Sequence, residues 1–324
     1  MKNIALLFLI ASSTACLDPS ADGNLVPLTV DDDTTLPRIA LNGSLFHAET
    51  FGDPADPVIV MLHGGPGGDY RCLLRLRQPV DGVRLEDHHF VVFWDQRGAG
   101  LSRRHDPADL TIAAYDADLL ALVDHYSPGR PVVLIGHSWG GMYATSFIAK
   151  HPERVAGAVL MDSGPLNSAF FELVKDRINE FALGSEWLND YTWGSTIMSP
   201  DDHARADYLR MLGNLGDSQP GYHLSRTDPS PEWRMGAVVN AVIMNEGVSN
   251  GWDFTDGLER FQHPVLFEGS ELNEVIGAEF QRRQVTAYER ADLVIIEGAG
   301  HEHEWTHAEA TLRPVFTYLA TIGF

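Results

Sequence analysis

The chain reads as an α/β protein with a mostly parallel sheet, helices on both faces, and a helical cap inserted between two late core strands. Three observations predict this. Short unbroken apolar runs, such as Val58–Leu62 and Phe90–Trp94, recur along the chain, and strands buried on both faces have this character. Those runs alternate with stretches of helical periodicity, as crossovers between parallel strands require. The rhythm stops at about residue 166 and resumes near 263, so the segment between is an insertion lying over the carboxyl ends of the strands. With 324 residues, 44% apolar and 21% charged, there is enough material for one sizeable core.

Taken in order, two strands over about 37–50, turned at Asn42-Gly43, open the core. Val58–Leu62 and Phe90–Trp94 follow as buried strands, the first running into a glycine-rich loop. Residues 113–126 have helical spacing, 132–135 form a strand that stops at Gly136, 142–150 a helix and 158–161 a strand. After the cap come a strand at 265–268, a helix at about 274–290, a strand at 293–296 and a final helix at about 303–320. The core is therefore expected over 37–165 and 263–324, and the cap over 166–262, where Trp187, Trp193 and Trp252 are available to line a pocket or pack the cap down.

Forty-five acidic residues against 23 basic ones leave a formal charge of −22, spread along the chain. Such a field repels phosphate backbones and argues against a nucleic-acid partner. Two cysteines, Cys16 and Cys72, are too few for a disulfide framework, and Cys72 suits a small buried side chain near a helix start.

At the N-terminus, Lys2 precedes an apolar run at 4–11 that is too short to span a bilayer, and small residues then lead to Cys16. This order resembles a bacterial lipoprotein signal. The resemblance implies removal of residues 1–15, lipidation of Cys16 and a membrane-anchored protein of the bacterial envelope. Ordinary cleavage after Ala15, giving a soluble exported protein, is the alternative. Residues 16–36, rich in Asp, Pro, Gly and Thr, read as a flexible tether.

The chemistry is carried by three pieces. Gly136-His137-Ser138-Trp139-Gly140 lies between a buried strand and a helix start. That turn projects a serine hydroxyl from the sheet edge, and the helix N-terminus supplies the Trp139 N–H to hold an oxyanion. His63-Gly64-Gly65-Pro66-Gly67-Gly68 follows a strand, and its glycines let the Gly65 N–H approach a substrate carbonyl as a second oxyanion donor. No Lys-Ser/Thr follows, which makes it a poor phosphate cradle, and His63 suits a loop-orienting hydrogen bond better than a base. His301, in the loop after the last strand, is placed to deliver an imidazole to Ser138. A rival motif overlaps it: His303-Glu304-Trp305-Thr306-His307 matches the zinc-peptidase pattern, but Glu309 is the sole third ligand on offer.

Together these pieces resemble the proline iminopeptidase branch of the α/β-hydrolases. His63-Gly64-Gly65-Pro66-Gly67, Asp95-Gln96-Arg97-Gly98-Ala99-Gly100-Leu101-Ser102, Gly136-His137-Ser138-Trp139-Gly140-Gly141 and His151-Pro152-Glu153-Arg154-Val155 match that branch. The resemblance covers 37–165 closely and 264–320 loosely. It implies a serine hydrolase that releases the N-terminal residue of a short peptide or cleaves an aminoacyl amide, with no metal or organic cofactor. A carboxylesterase or other amidase on the same machinery is the alternative. Acidic cap residues hold the substrate's amino terminus in that branch, which makes Glu246 a candidate.

The sequence departs from the branch at the triad acid. Asn273 stands where an Asp is expected, within Ser270-Glu271-Leu272-Asn273-Glu274. An amide can orient an imidazole but does not stabilise the imidazolium. Asp162, after the strand at 158–161, is the first candidate for the acid; Glu271 is the second, then Glu274 or Asn273 itself. Asp95 and Arg97 are expected to lock their own loop through hydrogen bonds and an ion pair. The altered acid position also admits a non-catalytic binding protein on a hydrolase fold.

Overall fold

The computed structural model describes residues 26–174, 203–214 and 230–324. The signal segment, Cys16, Trp187 and Trp193 lie outside the described residues. Eight strands form one sheet in the order β1-β2-β4-β3-β5-β6-β7-β8. They are β1 (Arg38–Leu41), β2 (Ser44–Phe51), β3 (Val58–Leu62), β4 (Phe90–Trp94), β5 (Val132–His137), β6 (Val155–Met161), β7 (Val265–Ser270) and β8 (Ala291–Ile296). β1 and β2 pair antiparallel, as do β2 and β4, and all remaining pairs are parallel. Asn42 and Gly43 both take positive φ, 45° and 72°, which is what the tight β1–β2 turn requires.

Alternation along the strands divides the core into two layers. Val58, Val60 and Leu62 of β3 face one layer with the helices α1 (Ile112–Tyr126) and α2 (Trp139–Lys150), whereas Ile59 and Met61 face the other. That second layer is closed by the 3₁₀ segment Tyr70–Arg77 and the C-terminal helix, through Leu312, Val315 and Leu319. Each central strand is apolar on both faces because both faces are covered.

Between β6 and β7 the described residues form α3 (Ser168–Glu172), α4 (His203–Asn214) and α5 (Ala237–Asn250), with no strand among them. A buried carboxylate fastens this segment. Asp207 on α4 accepts Arg104 Nε at 2.9 Å, Arg234 Nε at 2.7 Å and the Ala237 N–H at 2.8 Å, so the first turn of α5 is tied to the loop after β4. After β7 come α6 (Ala278–Gln284), α7 (His303–Thr306) and α8 (Ala308–Ile322). The expected helix over 274–290 is therefore shorter, and the expected C-terminal helix is broken at His307.

The expected tether over 16–36 also ends early. Val26 and Val30 are buried, the Val30 N–H donates to Leu101 O at 2.8 Å, and Arg38 donates to Val30 O at 2.9 Å. Val26 and Val30, four residues apart, are the side chains that dock this strap into the core, while Leu28 stays exposed. Among the described residues no helix is long and apolar enough to cross a membrane.

Candidate active site

Ser138 sits at the β5–α2 junction with φ 54° and ψ −117°. This is a costly conformation for a non-glycine residue, held here by its surroundings. Its N–H donates to Met161 O at 2.9 Å, and its carbonyl accepts the N–H groups of Gly141 (3.0 Å) and Gly164 (3.1 Å). The flanking glycines are steric requirements. A Cβ on Gly136 would strike the carbonyl of Gly140, and one on Gly140 would strike the carbonyl of Leu62.

The glycine-rich loop passes directly over this turn: a Cβ on Gly64 would lie 3.2 Å from the Ser138 Cβ. Two buried side chains hold the loop. His63 Nε2 accepts the Gln96 N–H at 3.1 Å, which fixes the proton on Nδ1 for donation to Gly64 O at 2.9 Å. Burial lowers the His63 pKa, in keeping with a neutral ring. Gln96 returns its amide to His63 O at 3.0 Å and accepts the Trp139 indole N–H at 3.0 Å. Asp95 accepts the N–H groups of Tyr70 (2.9 Å) and Leu101 (2.8 Å) and pairs with His47 at 2.8 Å, while Arg97 pairs with Asp118 at 2.6 Å. Both lock their loop as expected, each through a partner the sequence did not indicate.

Gly65, Ser138 and Trp139 share one cavity of about 160 Å³ with Pro66, Met142, Phe171, Met244, Trp252, Val275 and Ile276 among its other walls. Trp252 thus lines the pocket, its ring 5.9 Å from that of Trp139. Glu246 lies half-buried on α5, two residues beyond Met244, and is not among the lining residues.

His301 is buried, with Nδ1 3.4 Å from Asp162 Oδ2. Asp162 is fully buried at a positive φ of 39°. Its carboxylate accepts the Ser270 N–H at 2.9 Å, the Ser270 hydroxyl and the Asn273 amide at 2.9 Å. Burial pushes the Asp162 carboxyl up, and the nearby His303 together with these donors pulls it back. Of the alternative acids, Glu271 is exposed and accepts the Gly298 N–H at 2.8 Å, and Glu274 is exposed. Asn273 Nδ2 lies 3.5 Å from His301 Nδ1.

Behind His301 the chain buries more ionisable groups than its acidic composition foretold. His137 Nε2 faces the His301 carbonyl at 2.9 Å and lies 3.3 Å from Glu304 Oε2, the latter without hydrogen-bond alignment. Burial, aided by His301, brings the His137 pKa down to about 3, and burial raises Glu304 well above the usual carboxylate range. His303 is likewise pulled to about 3 by burial. Its Nδ1 contacts Thr311 Oγ1 at 3.0 Å, and His307 Nδ1 contacts Thr306 Oγ1 at 2.9 Å. In the zinc-peptidase-like pentapeptide each histidine thus has one ring nitrogen against a threonine hydroxyl. Among the described residues, no three His, Cys, Asp or Glu side chains group to hold a metal.

A fold of this topology, with a strained serine between a parallel strand and a helix, defines a hydrolase class. The family model described as alpha/beta hydrolase fold matches residues 57–192. A proline iminopeptidase from Lactobacillus helveticus is 34% identical over 270 residues, spanning 76% of this chain and 83% of that protein. A cis-3-alkyl-4-alkyloxetan-2-one decarboxylase from Shewanella oneidensis is 32% identical over 142 residues, and the match spans 41% of each protein. Among solved structures, the proline iminopeptidase of Mycobacterium smegmatis superposes with a TM-score of 0.59 at 16% identity, covering 88% of this chain and 98% of that one. The chain belongs to the α/β-hydrolase fold family, in its proline iminopeptidase-like branch.

Proposed function

We propose that this protein is an exported serine hydrolase that cleaves an amide through an acyl-enzyme, as an aminopeptidase of the proline iminopeptidase type. The observation that carries this reading is the approach of His301 Nδ1 to Asp162 Oδ2, 3.4 Å, behind a strained Ser138 that opens onto the cavity. In the reaction, His301 Nε2 takes the hydroxyl proton as Ser138 Oγ bonds to the carbonyl carbon. The N–H groups of Gly65 and Trp139 hold the resulting oxyanion, and one such donor is typically worth about 3–4 kcal/mol in the transition state. His301 then passes its proton to the departing nitrogen as the C–N bond breaks. Water, deprotonated by His301, releases the acyl group and restores Ser138. Asp162 is the acid that stabilises the imidazolium.

The cavity supports a small apolar acyl group. Its volume of about 160 Å³ is close to the roughly 150 Å³ that accommodates a benzene ring, and a prolyl ring falls within that size. Glu246 is the proposed acceptor for the substrate's ammonium group. Apart from Ser138, the side chains that line the cavity are apolar or aromatic, and this favours a second reading, an esterase for short acyl groups. Export rests on the signal-like residues 1–15, with Cys16 as the proposed lipid anchor and the membrane touched only there.

The test is release of arylamine from a panel of aminoacyl arylamides, prolyl included, run beside short acyl esters with Ser138→Ala as control. Arylamide turnover that disappears in the variant is the expected result. Turnover of esters alone would keep the mechanism and replace the peptidase reading. Reaction with neither, together with no labelling by a fluorophosphonate, would favour a binding protein.

A further inference from the structure

The side chain standing where this branch carries its triad acid has two opposite ends in use. Asn273 is nearly fully buried. Its Nδ2 donates to Asp162 Oδ2 at 2.9 Å and lies 3.5 Å from His301 Nδ1. Its Oδ1 accepts the N–H groups of Val275 at 3.0 Å and Ile276 at 3.1 Å. Val275 and Ile276 are walls of the cavity into which Ser138 opens. The loop closes this tightly because position 277 is glycine: a Cβ there would collide with the carbonyls of Asn273 and Ser270.

The geometry points to Asn273 as a positioning residue that aims the Asp162 carboxylate at His301 with its amide N–H and, with its amide oxygen, fastens the Val275–Ile276 wall against the substrate's acyl group. This rests on the serine-hydrolase reading above. Asp162 Oδ2 faces three groups, the Ser270 hydroxyl, the Asn273 amide and His301. A carboxylate at 273 has no proton to donate at neutral pH and would set a second negative charge against Asp162. The amide is therefore the functional choice once the acid lies on the loop after β6, and the two ends of Asn273 link substrate fit to the orientation of the acid.

The two ends separate experimentally. Asn273→Asp keeps the acceptor for Val275 and Ile276 and removes the donor to Asp162; Asn273→Ala removes both. For Asn273→Asp, kcat is expected to fall roughly ten- to a hundredfold, the size of one lost hydrogen bond to a charged group, while KM stays within about twofold because the wall keeps its anchor. For Asn273→Ala, kcat is expected to fall and KM to rise together. A readout without substrate accompanies these, the NMR titration of the His301 ring. In Asn273→Asp its midpoint is expected to move up, because a second carboxylate beside the ring favours the imidazolium. Parental or higher kcat in Asn273→Asp, an unmoved His301 midpoint, or an unchanged KM in Asn273→Ala would each overturn the assignment. If the parent hydrolyses no substrate, the hydrolase reading fails, and the His301 titration still decides whether Asn273 governs the acid and base.

Discussion

The indole N–H of Trp139 donates to Gln96 Oε1 at 3.0 Å, joining the Ser138 turn to a loop 43 residues upstream. Gln96 also reaches His63 through its amide and its main-chain N–H, so one buried side chain sets the spacing of the two proposed oxyanion donors. Gln96→Ala leaves the Trp139 indole and the His63 carbonyl without these partners, each costing about 1–3 kcal/mol when buried and unsatisfied. The expected outcome is a stability loss of that order and a drop in kcat larger than the change in KM, since misplacement by about 1 Å can cost a hundredfold. Denaturant melts and steady-state kinetics check this; a kcat equal to the parent's would refute it.

Gly140 offers a steric prediction. Any Cβ there meets the Leu62 carbonyl at the end of β3. Gly140→Ala is expected to lower stability by about 3 kcal/mol, the upper end for overpacking, because backbone has to move. It should also abolish fluorophosphonate labelling of Ser138. Rapid labelling of a folded Gly140→Ala protein would show that the turn tolerates a wider spacing.

Asp207 is expected to matter far beyond its surroundings. Removing it leaves two buried guanidinium groups, Arg104 and Arg234, without their shared carboxylate, and breaking a buried pair typically costs about 3–5 kcal/mol. Asp207→Ala is expected to lose stability on that scale and to raise KM, because α5 brings Met244 to the cavity wall. Thermal melts and KM for the best substrate check both, and an unchanged KM would separate α5 from substrate binding.

Buried ionisable groups predict the pH profile of stability. Glu268 is fully buried with neither carboxyl oxygen hydrogen-bonded, and burial plus the neighbouring Asp162 hold its pKa well up. The unfolded chain releases that proton near pH 4.3, so the contribution of Glu268 is complete below about 4.3 and is lost as pH rises through the folded value. His137 and His303, folded near 3, run the other way. Their contribution is complete above about 6.5 and is lost as pH falls towards 3. Glu268→Gln is expected to gain stability over the parent at about pH 8 and to differ little near pH 4. Urea melts at both pH values decide it, and an equal difference at the two would contradict the assignment.

The unbroken strands were legible to the residue: Val58–Leu62 and Phe90–Trp94 contain only side chains that both core layers accept. β6 begins three residues earlier than its apolar run suggests, because Gly157 reads as a breaker. The structure needs glycine there, since the Tyr318 hydroxyl occupies the space of a Cβ and takes part in the pairing by accepting the Ala158 N–H. The strand–turn–helix junction at Ser138 and its meeting with Gly65 and Trp139 were legible because these elements lie contiguous in the chain, and the approach of Asp162 to His301 was one of several placements the sequence allowed. The Asn273 amide on Asp162 was not, because that bond joins residues 111 apart. Asp207, Glu268 and Glu304 were invisible for a related reason: an acid in an acidic sequence reads as solvated until its neighbours are known.

The bond from the Ser138 N–H to Met161 O, and the return bond from the Gly164 N–H to Ser138 O, have a mechanical consequence. The serine and the aspartate ride on adjacent strands clamped on both sides, so they share one frame and have almost no relative freedom. The imidazole belongs to a different lever, the loop after β8, pinned to that frame where its own carbonyl meets the ring of His137. Thermal displacement between the three groups is thereby concentrated where the loop after β8 meets that frame. The amides of 138 and 164 should exchange with solvent only on global unfolding, and those flanking His301 through smaller, more frequent openings.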